Sequence, residues 1–307
     1  QPSLLIGLNS WAETLGLDVL AAGKSSEYDF VLEDDNTLCW LENRHRNSGM
    51  LDLWHCRDGD WQNHVARRNA VVAEAQFPTR TVADFCELGV VANGTGLIPD
   101  RAALHAPLLR PVELADAFQF QSDGGLLANK GVIDVFNCLR RRDEMSFAGG
   151  VFVIVRCDNA KTWDLLRGKG HVVARNTKTA MLFIGQHTLG VEAPMSILSA
   201  ALLNLPTGAA APEPRIELVA RATRDFKQGE TLHITDPHHH AVAGLDPELR
   251  DAERDHSSSP VPYYIATGRT IVTDVKKGTV LTWGMVNIDQ ASRLHQLRQQ
   301  QNAWWYQ

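Results

Sequence analysis

The chain has 307 residues, 44% of them hydrophobic and 21% charged. That is ordinary for a globular protein of about two domains with a core large enough to need no staple. Against 36 acidic side chains stand 30 basic ones, a net charge of -6 at pH 7. A dedicated nucleic-acid surface, which needs a basic face to displace counterions, is therefore not expected. No uninterrupted apolar run approaches the length of a membrane span.

Cys39, Cys56, Cys86, Cys138 and Cys157 are odd in number and show no C-x-x-C spacing. A disulfide framework and a zinc knuckle are both disfavoured, and reduced thiols in a cytoplasmic protein are expected. The Asn93-Gly94-Thr95 glycosylation pattern then reads as chance. The chain starts at Gln1 without Met, which suggests a removed segment or a piece of a longer protein; a cleaved secretory signal is the weaker explanation.

Leu4, Leu5, Leu8, Trp11 and Leu15 fall at helical spacing ahead of Gly16, so an amphipathic helix is expected. Residues 17–23 read as a strand ending in a turn. Residues 25–65, rich in charge, Asn and His, read as irregular with at most one helix. Residues 84–93 read as a mostly buried helix stopped by Gly94 and Gly96. Residues 151–155 read as a buried strand and residues 195–205 as a core helix. Residues 206–214, rich in Pro, Gly and Ala, are the best linker.

Beyond the linker lies an internal repeat. Asp225-Phe226-Lys227-Gln228-Gly229-Glu230-Thr231-Leu232 recurs as Asp274-Val275-Lys276-Lys277-Gly278-Thr279-Val280-Leu281. The shared D-x-K-x-G-x-x-L pattern describes a turn whose Gly supplies positive φ, followed by a strand. Two similar β units packed together are expected. Residues 236–260 read as a solvated excursion.

Two nucleotide motifs fail. Gly23-Lys24-Ser25 resembles the end of a phosphate loop, but Asp18 stands where the first Gly is needed. Asn93-Gly94-Thr95-Gly96 resembles a dinucleotide fingerprint, but it follows a helix and lacks the third Gly. Any nucleotide-binding turn must therefore lie before Gln1.

Candidate site residues remain. Lys24, placed after a strand, can donate to a substrate carbonyl or be a solvated strand end. Lys130 and the run Arg140-Arg141-Arg142 can hold an anion, or form a basic edge paired with Asp143 and Glu144. Glu192 can open a helix or face a site with His187. Glu87 sits in an apolar helix, where a carboxylate must be paired or functional. His238-His239-His240 on an extended segment cannot converge on one ion, and no metal ligands are assigned.

Residues 212–288, with Val219-Ala220-Arg221-Ala222 before the first repeat and Pro262-Tyr263-Tyr264-Ile265-Ala266 before the second, resemble the SAF domain. That β-clip module occurs in sialic acid synthases, sugar-acid dehydratases and a flagellar assembly chaperone. Gln1-Pro2, Ala21-Ala22-Gly23-Lys24, residues 84–100, residues 140–155 and Gly190-Val191-Glu192-Ala193-Pro194-Met195-Ser196-Ile197-Leu198 resemble homoserine dehydrogenase-like oxidoreductases. These carry a C-terminal SAF domain, and the group includes the deoxyxylulose-phosphate reductoisomerase-like enzyme. Arg80-Thr81-Val82-Ala83 stands where relatives often show D-G-T-K, so either the chemistry differs from that of the reductoisomerase or the missing Lys role passes to Lys24 or Lys130.

The resemblance implies an α/β (α+β) catalytic domain over residues 1–211, an all-β SAF domain over 212–290 and a tail over 291–307. It implies hydride transfer between NADP or NAD, held mainly by a preceding Rossmann domain, and a small polar or phosphorylated carbonyl or hydroxy substrate. Lys24, Lys130 and Glu192 are then the catalytic candidates. Arg140, Arg141, His187 and Glu87 are the substrate-binding ones. A divalent metal is left open, and a cytoplasmic homodimer without nucleic-acid or membrane partners is expected. The alternatives are a non-catalytic SAF-domain carbohydrate-binding or assembly protein, and a sugar-acid lyase.

Overall fold

The computed structural model describes residues 1–306, with Leu189 described by its backbone alone. The chain divides into two compact units. Gln1–Thr79, Val90–Asp100 and Leu104–Pro212 form the first, and Arg80–Gly89, Arg101–Ala103 and Glu213–Gln307 form the second.

The elements up to Pro212 are α1 (Pro2–Thr14), β1 (Val19–Leu32), β2 (Thr37–Trp40), β3 (Asn43–Arg46), α2 (Trp61–Glu74), α3 (Val82–Thr95), β4 (Ile98–Pro99), β5 (Leu108–Leu109), α4 (Leu114–Ala117), β6 (Val132–Arg140), β7 (Val151–Arg156), α5 (Ala160–Gly168), β8 (Thr179–Ile184) and α6 (Ala193–Leu203). The eight strands form one mixed sheet around β1 and β6, which run parallel from Ala21↔Val132 to Val31↔Arg140.

Both central strands change their outer neighbour part-way along. β1 pairs with β7 as far as Lys24↔Val151, then with β2 from Phe30↔Trp40. β6 pairs with β4 at Val132 and Ile133, then with β5 at Asn137 and Cys138. The two changes fall at one level of the sheet. There β1 also bulges against β6, between Ser25 and Asp29. Bulges and partner changes of this kind open a sheet locally, which is where ligands sit in mixed and parallel sheets.

One face of the sheet carries a core of Phe118, Phe136, Phe152, Ile154 and Met181, joined by Trp61 and Val65 of α2 and Leu114 of α4. α1 packs on β1 and β7 and contributes nothing to that core, so it covers the other face. A further core gathers Phe30, Leu32 and Leu38 under Val71 and Val72 of α2.

Several expectations change. β1 does not turn at Gly23 but runs on to Leu32, because Gly23 serves close approach instead: a Cβ there would lie 2.3 Å from the Asp134 carbonyl and 2.6 Å from the Phe152 ring. Residues 25–65 hold three strand segments and α2 rather than irregular chain. The alternation of Tyr28, Phe30 and Leu32 with Glu27, Asp29 and Val31 was the strand signal under the charge. α3 passes through Gly94, where a Cβ would sit 3.1 Å from Ile6, and ends only before Gly96 at φ +78°. α6 is not a core helix, since none of its residues is buried. All five cysteines are free thiols.

The second unit holds β9 (Ile216–Ala222), β10 (Ile234–Asp236), β11 (Ala241–Val242), β12 (Leu245–Asp251), α7 (Tyr263–Ala266) and α8 (Arg293–Trp305). β12 runs antiparallel to β9 from Leu245↔Ala222 to Asp251↔Ile216. Residues 236–260 are therefore not wholly solvated: Leu245 and Leu249 are buried, and buried Glu248 is held by Arg221 and Arg250. Residues 291–306 form mostly helix, anchored where Arg298 reaches Asp255 at 3.0 Å and also pairs with Glu217.

The two repeats clasp each other. Phe226 and Val275 bridge, Lys276 donates to Asp225 at 2.8 Å, and Lys227 donates to Asp274 at 2.7 Å. Each Asp also accepts a backbone N–H from the opposite copy, Lys277 to Asp225 and Gln228 to Asp274. Gly229 and Gly278 take φ of +92° and +87°, the conformation the pattern requires.

Candidate functional site

The level at which the sheet exchanges neighbours is also where its polar residues are buried. Lys24, Ser25 and Ser26 of β1 and Asp134 and Asn137 of β6 are all buried, Lys24 to 5% exposure and Asp134 to 0%. Lys24 pairs across the sheet with Val135 on one side and Val151 on the other, and Val151 with Ile184. Strand alternation puts this row and Asn137 on the face that α1 covers. Lys24 is engaged by neighbours rather than free. An ammonium has three N–H donors, so an engaged lysine can still offer one to a substrate oxygen.

Asp134 replaces the missing ladder beside β6. Its Oδ1 accepts the N–H groups of Val135 at 2.8 Å and of His105 and Ala106 at 3.1 Å, and its Oδ2 lies 3.0 Å from the His105 nitrogen. Burial pushes its carboxyl up, against the pull of His105 and these N–H groups. Asn137 completes the lock: its amide donates to the Ala106 carbonyl at 3.1 Å, and its backbone N–H to that of Pro107 at 2.8 Å. Its Oδ1 is buried without a partner.

The segment so held is strained. Leu104 and Ala106 take φ of +55° and +43°, a region that costs side-chain-bearing residues of order 1 kcal/mol or more. Between them His105 is buried, with Nε2 3.0 Å from Asp100. Burial opposes ionisation of Asp100, yet the Ala128 N–H, His105 and Asn129 together hold its carboxyl below the usual range. A His–Asp pair on a strained, over-determined segment alongside β6 is an arrangement suited to binding a polar group and holding a proton.

On the opposite side of β1, Ser25 donates its N–H to the Gly150 carbonyl at 2.9 Å. Gly149 has φ +84°, and a Cβ on it would lie 2.7 Å from the His187 ring. The Gln1 amide donates to the Gly149 carbonyl at 2.6 Å. His187 Nδ1 is 3.8 Å from Glu192, whose carboxyl is held low first by the Thr188 N–H. Lys24, His187 and Glu192 are thus brought to the same end of the β1–β7–β8 triplet.

The other sequence candidates lie elsewhere. Lys130 pairs with Asp18 at the amino ends of β6 and β1. Six residues of strand separate Asp18 from Lys24, roughly 20 Å. Arg140 is spent on Asp29 at 2.9 Å and on three backbone carbonyls. Arg141 donates to the Leu32 carbonyl at 2.9 Å, pairs with Asp34 at 3.2 Å and covers Trp54. The two arginines fasten β6 to β1 and the turn that follows it, where an anion-holding role was expected: Asp29 comes from β1 and Asp34 from that turn, while Glu144 accepts the Arg141 backbone N–H. Glu87, on the first half of α3, belongs to the second unit and is half-buried.

Asp100, His105, Asp134 and Asn137 were missed. A readable signal existed for two of them: Asp134 and Asn137 interrupt the apolar run of residues 132–139. No sequence pattern marked His105, because its partners lie 5 and 29 residues away.

A family profile described as the catalytic domain of oxidoreductase DRL matches residues 1–193. No curated protein matches the chain. No helix among the described residues is long and apolar enough to cross a membrane.

Proposed function

The chain belongs to the DRL oxidoreductase catalytic-domain family and is an enzyme of that class; from that premise we propose that it reduces or oxidises a small polar carbonyl or hydroxy compound with a nicotinamide cofactor. Lys24, buried where the sheet exchanges neighbours, is the observation that carries this reading. The buried Asn137 Oδ1 without a partner, on the same face, fits a site built for a polar ligand. The nicotinamide, when bound, supplies or accepts the hydride. Lys24 donates to the substrate oxygen and stabilises the charge that develops there. His105, fixed by Asp100, and His187, beside Glu192, orient the substrate and hold protons at the edge of the site.

Residues 1–307 contain no dinucleotide fingerprint, so the nucleotide portion is proposed to be held by a further domain. A homoserine dehydrogenase-like or reductoisomerase-like reaction on a phosphorylated or hydroxy-acid substrate is the finer reading, with NADP or NAD. The second unit is proposed to be an SAF β-clip, supported by its reciprocal D-x-K-x-G turns. The non-catalytic alternative falls with the family match.

A homodimer is proposed through α6. From Ala193 to Leu205 there is no charged residue, and Ile197 is 70% and Leu202 75% exposed. With Val191, Met195, Leu198, Leu203, Phe183 and Ile184 also exposed, the apolar area is on the order of the roughly 800 Å² that one partner gives to a standard interface. A charge-free surface is complementary to its own copy across a two-fold axis.

The test is reduced-nicotinamide absorbance followed with the complete protein against a panel of sugar phosphates and hydroxy acids, with and without divalent metal. Turnover with one class, falling about 100-fold or more in Lys24→Met, is expected. Turnover unchanged by Lys24→Met would remove Lys24 from the site.

A further inference from the structure

On the sheet face opposite Lys24 lies a cavity of about 490 Å³, walled by residues 55–57, the start of α2, the segment leading into α4, and residues 173–175. That volume is within the range of small-molecule sites. His55, Arg57, Arg110 and Arg175 line it, with Glu113 and Asp116 as the acids. In a chain of net charge -6, this concentration of guanidinium groups is unusual.

The acids are already committed. Glu113 takes both guanidinium nitrogens of fully buried Arg68, at 2.6 and 3.0 Å, and the Arg110 N–H at 2.9 Å. Asp116 accepts the Arg175 backbone N–H at 2.9 Å and lies 3.7 Å from its guanidinium Nε; burial still pushes its carboxyl up, against the pull of Arg175.

The arginines are held in place but not exhausted. Arg110 lies over Trp54 at 4.2 Å and pairs with Glu144 at 3.2 Å, and its buried Nε has no partner among the described residues. Arg175 is anchored by the Cys56 carbonyl at 2.8 Å. Arg57 makes no hydrogen bond or ion pair among the described residues. Preorganised guanidinium groups with donors to spare recognise phosphoryl and carboxylate oxygens.

We propose that this cavity binds a small, multiply charged anion, at a site separate from the one that contains Lys24. The geometry does not rest on the assignment of the redox reaction. Phosphoryl and carboxylate ligands share the required chemistry, and the test separates them.

Calorimetric titration of the chain with inorganic pyrophosphate, and in parallel with citrate, should show one saturable site for at least one of them. Saturation by pyrophosphate alone assigns a phosphoryl ligand; saturation by both assigns a general polyanion. Arg57→Glu should weaken binding about tenfold or more, and Arg57→Ala less, without lowering the melting temperature. Lys24→Met should leave it unchanged, whatever it does to turnover. Absence of saturable binding at millimolar ligand, wild-type affinity in Arg57→Glu, or equal loss in Lys24→Met would each overturn the proposal.

Discussion

Asp134 accepts the backbone N–H of His105 on both carboxylate oxygens, at 3.1 and 3.0 Å, from inside the sheet. One side chain of a central strand thereby fixes a segment that has left the ladder. Asp134→Asn keeps the shape but turns a donor toward donors. It should cost about 2 kcal/mol of stability, the price of buried N–H groups left unsatisfied. Amide hydrogen exchange at His105 and Ala106 should quicken more than elsewhere in β6. Uniform exchange across the sheet would show that Asp134 does not hold the segment.

Three glycines predict three different outcomes. Gly23→Ala drives a Cβ into backbone 2.3 Å away and should cost about 3 kcal/mol. Gly229→Ala meets no atom within 4 Å but must keep φ near +92°, a loss of about 1 kcal/mol. Gly7→Ala, inside α1 with open space around it, should stabilise by about 0.5–1 kcal/mol. Chemical denaturation of the three variants orders them, and the same sign for all three would contradict this reading.

His64 makes stability fall in acid. Its ring packs edge-on to Trp61 at 5.6 Å and its Nε2 is buried without a partner. Burial first, and the Arg68 charge second, push its pKa down from 6.5 to about 4. Between those values the unfolded chain binds the proton and the folded chain does not. Stability present at neutral pH is therefore lost as pH falls through that window, by up to about 3 kcal/mol. Denaturation midpoints at about pH 7 and about pH 5 should converge in His64→Leu relative to wild type. An equal drop in both proteins would assign the acid sensitivity elsewhere.

The α6 surface predicts association. Light scattering at micromolar concentration should give twice the chain mass, and Ile197→Glu should give a folded monomer. A wild-type monomer would end the homodimer reading and leave α6 as a surface for another domain.

The strands whose side chains face only apolar neighbours were the most legible. Residues 151–155 are a buried strand because every residue there is apolar. The D-x-K-x-G repeat showed its turn geometry because Gly229 and Gly278 act locally. What stayed hidden depends on distant partners. Arg140 and Arg141 looked available in the sequence because Asp29 and Asp34 lie more than 100 residues away along the chain. Lys24 looked like a strand end because Gly23 suggested a turn, whereas the Asp134 carbonyl and the Phe152 ring explain that glycine. The apolar content of α6 was plain, but burial within the unit does not follow from composition.

The clasp between the two repeats constrains synthesis. Asp225 waits for Lys276, 51 residues later, and neither turn has its counter-charges until both have left the ribosome. The second unit also draws on residues 80–89 and 101–103, made long before. The Leu249 N–H, for example, is donated to the Ala102 carbonyl at 2.8 Å, and contacts between residues so far apart along the chain slow folding.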